Sequence, residues 1–295
     1  MTIASGLSLR GPVGVVGLGL IGGSIGLDLR AQGIEVRALV HRAVTANRAR
    51  QRGLADQVAT DPAVLAGCRL VVLALPLDRL LHPTPELVAA LPLEAAITDV
   101  GSVKAPVLAR WQPLHPRFVA SHPMAGTAQA GVEAGLGGLF ADRPWVATPG
   151  PATDRQALAQ VQALAAALGS RWLECAAEAH DRAVALISHA PVLVSAALLL
   201  AADRAAQAGA VSGVAELPEL VRALASSGFA DTTRVGGGNP QLGTLMARHN
   251  RDAVLAALGH YRQALEALEQ ELSSGAWPAL QADLERCQRL RPEFL

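Results

Sequence analysis

His122 stands in the loop Ser121-His-Pro-Met-Ala-Gly-Thr127, just after a short apolar stretch. An imidazole on a rigid loop can take the proton of a substrate hydroxyl near neutral pH, or it can cap a backbone group. Ser102 lies in Asp99-Val-Gly-Ser-Val-Lys104, between a strand-like run and a helical one. Its hydroxyl suits a helix N-cap, or it could hold a histidine or a substrate hydroxyl in place. Arg234 closes Gly228-Phe-Ala-Asp-Thr-Thr-Arg and precedes a glycine loop. There a guanidinium can clamp a carboxylate or pair with Asp231. His180-Asp181 and Ser188-His189 sit in an apolar helical run, where lone histidines are ordinarily satisfied core groups. They lack the carboxylate or cysteine company of a metal site, so none is expected.

A second chemistry is written in Val13-Gly-Val-Val-Gly-Leu-Gly-Leu-Ile-Gly-Gly-Ser24. The β-branched run before Gly17 reads as a strand, and the apolar run up to Gln32 reads as a helix stopped by Gly33. Gly17 permits the turn, Gly19 lets a pyrophosphate approach the backbone, and Gly22 allows close helix–strand packing. Leu20 and Ile21 lie where the helix N-terminus offers unpaired N–H groups and a positive dipole end to phosphates. An NAD-type fold should place an acid about 20 residues further on, for the ribose 2′-hydroxyl. His41-Arg42 stands there instead, and a guanidinium is the natural partner of a 2′-phosphate, so NADP is the expected cofactor. Leu75-Pro76 ends another apolar run, where strand ends border a cofactor crevice.

These residues need an alternating scaffold. Strands are expected at 13–16, 35–40, 69–75, 95–100, 118–121, 145–148 and 171–175, with helices at 45–52, 78–91 and 154–168 between them. A further helix opens at 101–104, and Asp61-Pro62 reads as an N-cap with proline behind it. That pattern predicts an α/β fold with a Rossmann-type doubly wound sheet over residues 1–175. From Glu178 the period is helical throughout, with candidates at 178–208, 216–227, 240–272 and 277–289, giving an all-helical domain over 176–295. Residues 183–202 are almost wholly apolar. A membrane span would read this way, as would a helix covered on all sides by a second subunit. The histidine, proline and serines within it favour the second, so a homodimer is expected.

The 295 residues carry 25 basic and 25 acidic side chains, with no basic patch or charged tail, which argues against nucleic acid and anionic membrane as partners. Three scattered cysteines fit a reducing, cytoplasmic setting. Residues 1–12 do not read as a signal peptide.

Taken together, GLGLIGGS at 17–24, the 99–104 and 121–127 segments, His180-Asp181, Ser188-His-Ala-Pro191 and Ser226–Arg234 resemble the prephenate/arogenate dehydrogenase family of tyrosine biosynthesis. The Arg234-Val-Gly-Gly-Gly-Asn-Pro240 run is most similar to the cyanobacterial-type, NADP-dependent arogenate dehydrogenases. The resemblance implies roles. His122 would bond the ring C4 hydroxyl, Ser102 would position both, and Arg234 would hold a substrate carboxylate. Thr127 and His189 would line the pocket. The active site would lie between a nucleotide domain and a helical dimerisation domain. Three departures stand out: Ala128, Ala230 and Val192 replace acidic, basic and histidine residues found in many members. Each removes a polar group that could meet the substrate side chain.

Two competing readings remain. The β-hydroxyacid and 6-phosphogluconate-like dehydrogenases use a helical lysine as base, whereas Lys104 is the only lysine here. A silent NADP sensor would have no use for His122, Ser102 and Arg234.

Overall fold

The computed structural model describes residues 9, 11–127 and 129–294. Ala128 and most of the 1–12 segment weighed above lie outside the described residues. The first half is a six-stranded parallel sheet with helices on both faces. Its strands are β1 (Val13–Val16), β2 (Val36–Leu39), β3 (Gln57–Ala59), β4 (Leu70–Leu73), β5 (Ala96–Asp99) and β6 (Phe118–Val119), in the order β3-β2-β1-β4-β5-β6. The order reverses between β1 and β4, which opens the crevice where such folds bind their ligands. Val13 of β1 pairs with Val36 on one side and Leu70 on the other, and every residue of β1 and β4 is buried. This is the continuous apolar strand expected when both faces are covered.

The helices of this half are α1 (Leu20–Ala31), α2 (Ala43–Gln51), α3 (Leu77–Leu81), α4 (Pro85–Ala90), α5 (Ala105–Trp111) and α6 (Arg155–Ala167). One core packs Val15, Ile25, Leu29, Val72, Trp145 and Leu164 on one face of the sheet. A second packs Val16, Leu73, Leu80, Ile97, Val107 and Trp111 on the other.

The architecture follows the sequence, with local differences. The run read as one helix over 78–91 is two, because Pro83 and Pro85 interrupt it and Thr84 caps the second by accepting from Leu87 N–H. Asp61 does cap its segment, but that segment is a single 3₁₀ turn, Pro62–Leu65. The short strand β3 was not legible in the sequence. The extended segments near 121, 145 and 171 do not extend the main sheet. They form a separate three-stranded sheet of β7 (Ser121–Pro123), β8 (Pro144–Ala147) and β9 (Arg171–Glu174).

The second half is helical: α7 (Ala177–Val184), a π turn (Ala185–His189), α8 (Ala190–Val211), α9 (Leu217–Leu224), α10 (Ser227–Thr233), α11 (Pro240–His249), α12 (Arg251–Ser274) and α13 (Trp277–Phe294). The stretch read as one helix over 240–272 breaks at Asn250, whose backbone leaves the helical region at φ −123°, ψ 33°. Among the described residues of this half, a small core forms from Ala185, Ala190, Val254 and Ala257. Leu186, Ile187, Leu200, Leu224 and Leu255 are each more than half exposed. The run 177–211 is long and apolar enough to cross a membrane by length and composition. It nevertheless carries buried His180, Asp181 and His189.

Candidate active site

The glycine turn joins β1 to α1 as a shaped backbone. Gly17 has φ +94°, and a Cβ there would lie 2.4 Å from the Ala74 carbonyl oxygen. A Cβ on Gly22 would lie 2.0 Å from the Gly17 carbonyl oxygen, so helix and turn touch directly. A Cβ on Gly19 would meet no atom within 4 Å. That gap opens at the start of α1, with Leu20 and Ile21 half-buried in its first turn. Open space beside the unpaired N–H donors of a helix start suits a pyrophosphate. Across the turn, Leu75 and Pro76 follow β4, with the Leu75 side chain 3.5 Å from a Cβ on Gly17. His41 and Arg42 follow β2 and are exposed, Arg42 at the N-cap position of α2 but without a side-chain cap bond.

A second group of side chains gathers around β7. His122 Nδ1 lies 3.0 Å from His180 Nε2, with the rings edge-on. His180 Nδ1 lies 2.8 Å from Asp181 Oδ1. The same carboxylate accepts from Lys104 N–H at 2.6 Å and Ala105 N–H at 2.9 Å, so it caps α5 from a different domain half. These contacts determine the proton positions. The carboxylate can only accept, so His180 Nδ1 donates and its Nε2 accepts. His122 Nδ1 must then donate, which leaves the lone pair on His122 Nε2. Burial, helped by the neighbouring His180, Lys104 and His189, holds the His122 pKa well below its ordinary 6.5. The ring is therefore neutral, a hydrogen-bond acceptor with its orientation set by two further residues.

Ser102 does not cap a helix: α5 begins at Ala105 and its N-cap position is Lys104. The turn bearing Ser102 is instead pinned from below. Lys104 is wholly buried, ion-paired with Asp99, and donates to the Ser121 carbonyl at 2.7 Å. Asp99 also accepts from Gly101 N–H at 2.8 Å and Ser121 N–H at 3.1 Å. The Ser102 turn and the His122 strand thus share one buried ion pair. His189, at the end of the π turn, is buried against the Ser102 backbone. Burial lowers its pKa to about 4.

Thr127 and Arg234 make no hydrogen bond or ion pair with this cluster among the described residues. Thr127 is exposed, and its hydroxyl accepts from Gln129 N–H in a local turn. Arg234 is exposed at the end of α10 and forms no ion pair with Asp231 among the described residues. Sequence reasoning nominated His122 and Ser102 but treated His180-Asp181 as core filling, and it missed Asn250 and the Lys104–Asp99 pair. One residue was visible beforehand: Lys104 is the single lysine of the chain.

A doubly wound sheet with a glycine turn for a dinucleotide, and an oriented neutral histidine by the ends of its strands, defines a pyridine-nucleotide oxidoreductase. Known families narrow this. Residues 25–174 match the family described as prephenate dehydrogenase, nucleotide-binding domain, and residues 176–286 match the prephenate dehydrogenase dimerization domain. The chain belongs to the prephenate/arogenate dehydrogenase family. It is 32% identical to a prephenate dehydrogenase of Bacillus subtilis over 250 residues, which is 82% of this chain but just under two thirds, 64%, of that protein. It is similar in structure to Synechocystis arogenate dehydrogenase, with 38% identity, a TM-score of 0.78, and coverage of 96% of this chain and 100% of that one. It is also similar to the prephenate dehydrogenase of A. aeolicus in complex with hydroxyphenyl propionate and NAD+. There the identity is 25%, the TM-score 0.87, and the coverage 97% and 99%.

Proposed function

We propose that this protein catalyses the NADP-dependent oxidative decarboxylation of arogenate to tyrosine. The observation that carries the reading is the His122–His180–Asp181 chain, which leaves an acceptor nitrogen on His122. When bound at the glycine turn, the cofactor supplies a hydride acceptor. His122 Nε2 accepts the hydrogen bond of the C4 hydroxyl and stabilises the positive charge that grows there as hydride leaves C4. The C1–carboxylate bond then breaks, carbon dioxide departs, and its electron pair completes the aromatic ring. The oxygen retains or recovers its proton as the phenol, so no net proton is consumed. Aromatisation provides the driving force, and the residues around it orient the reactants. Ser102 positions the hydroxyl and His122, Arg234 holds a substrate carboxylate, and Thr127 and His189 line the pocket.

The NADP preference rests on exposed Arg42 after β2 and on the absence of an acid at that strand end. Arogenate over prephenate is favoured by the likeness to the Synechocystis enzyme. Residues 1–175 serve the nucleotide and 176–295 serve substrate and dimerisation. The exposed apolar side chains of the helical half, and its match to a dimerization domain, support a homodimer; the three scattered cysteines fit a cytoplasmic setting.

The test is reduction of NADP+ and NAD+ by purified protein with arogenate, with prephenate, and with neither. Turnover is expected with arogenate and NADP+. Faster turnover with prephenate or with NAD+ overturns the corresponding half of the proposal, and no turnover with either substrate overturns the whole.

A further inference from the structure

Asn250 sits at the break between α11 and α12, nearly buried. Its Nδ2 lies 2.7 Å from the Asp181 carbonyl oxygen and 3.2 Å from His189 Nδ1. A backbone carbonyl can only accept, so the atom facing it must be the amide nitrogen, which fixes the orientation of the Asn250 side chain. The second hydrogen of that nitrogen points to His189 Nδ1. The neutral ring therefore accepts at Nδ1 and carries its proton on Nε2. That Nε2 is buried, faces the Ser102 backbone, and makes no well-formed hydrogen bond among the described residues. A buried donor without an acceptor costs about 1–3 kcal/mol, a cost a site tolerates when a ligand supplies the acceptor. His189 ends the π turn, and its ring meets the Ser102 backbone.

We propose that Asn250 is a positioning residue for the reaction: it locks His189 as the Nε2–H tautomer, so that a donor faces the Ser102 turn and a substrate oxygen bound there. The cluster then presents two imidazoles of opposite character. His122 offers an acceptor and His189 a donor, and both amide protons of Asn250 serve to hold this arrangement. The proposal rests on the reading of His189 as a pocket residue. The ionisable groups around His189 are Asp181 and His180 on α7 and His122 on β7. Asp181 favours the charged ring, while His180 opposes it. A carboxylate at position 250 would add a second acceptor and reverse the balance.

The deciding experiment is imidazole 15N NMR on the dimeric protein labelled with [15N]histidine, with His189 assigned by its loss in His189→Gln. In the native protein at pH 7, His189 should show a protonated Nε2 and a bare Nδ1. N250D should move the proton to Nδ1 or give the imidazolium. It should also raise KM for arogenate about tenfold, the loss of one hydrogen bond, and add an ionisation to the pH profile of kcat/KM. Unchanged NADPH binding would report an intact nucleotide half. Should N250D not fold, Asn250→Ala gives the second reading, a ring that exchanges between tautomers. Native His189 with its proton on Nδ1, or a ring unaltered by both variants, overturns the proposal. The spectra need no substrate, so a failure of turnover in the native protein would count against the arogenate reading while the tautomer is still decided.

Discussion

The glycine turn and the histidine cluster are built by opposite means. At the turn, side chains are excluded: Gly17 and Gly22 leave no room for a Cβ, and Gly19 leaves a gap. At the cluster, side chains are everything. His122, His180, Asp181, His189 and Asn250 fix one another's protons through a chain of contacts of 2.7–3.2 Å. The first site is shaped by one continuous segment. The second is assembled from β7, α7, the π turn and the α11–α12 break, and is tied to α5 by the Asp181 carboxylate. Binding and chemistry should therefore separate under mutation.

His122→Asn should separate them most sharply. Loss of the acceptor should lower kcat by roughly 10²–10⁴-fold, the usual range for a general acid–base group, as measured by steady-state NADP reduction. Asp181→Asn should cost about 10²-fold in kcat, because an amide no longer dictates the tautomer of His180. It also leaves one acceptor oxygen where two served, so either Lys104 or Ala105 N–H loses its partner, worth about 1 kcal/mol of stability by urea denaturation.

The cluster also predicts an acid sensitivity that the turn, lacking titratable groups, cannot produce. In the unfolded chain His189 takes up a proton near pH 6.5, but in the fold only near 4. Between those values the unfolded state binds more protons, so stability falls as pH falls. The loss from His189 alone is on the order of 3 kcal/mol, and His122, also depressed, adds to it. Denaturant midpoints at pH 7.5 and pH 4.5 measure the difference. The smallest effect belongs to the nucleotide side: Arg42→Ala should weaken NADP+ binding about tenfold and leave NAD+ nearly unchanged. Equal losses would reject the 2′-phosphate role.

The same contrast explains what could be read from the sequence. The turn was legible because its geometry demands glycine at fixed spacing, directly between a β-branched run and an apolar helix. His122 and Ser102 were legible as candidates because they end strands of that scaffold. His180 and His189 looked like core histidines because the apolar run around them masks the fact that one face meets His122 and Ser102. Asn250 was invisible because helical periodicity runs through it, and its function depends on a carbonyl 69 residues away in sequence. The helix break at Pro83 and Pro85, by contrast, was available from composition alone.

NADPH titration of His122→Asn and Gly22→Val side by side tests most directly the claim that backbone shape holds the cofactor while linked imidazoles run the reaction. His122→Asn should bind NADPH as the native protein does, despite its lost turnover. Gly22→Val, whose side chain would collide with the Gly17 carbonyl, should not bind it. Equal affinities in the two variants, or a loss confined to His122→Asn, would contradict the account.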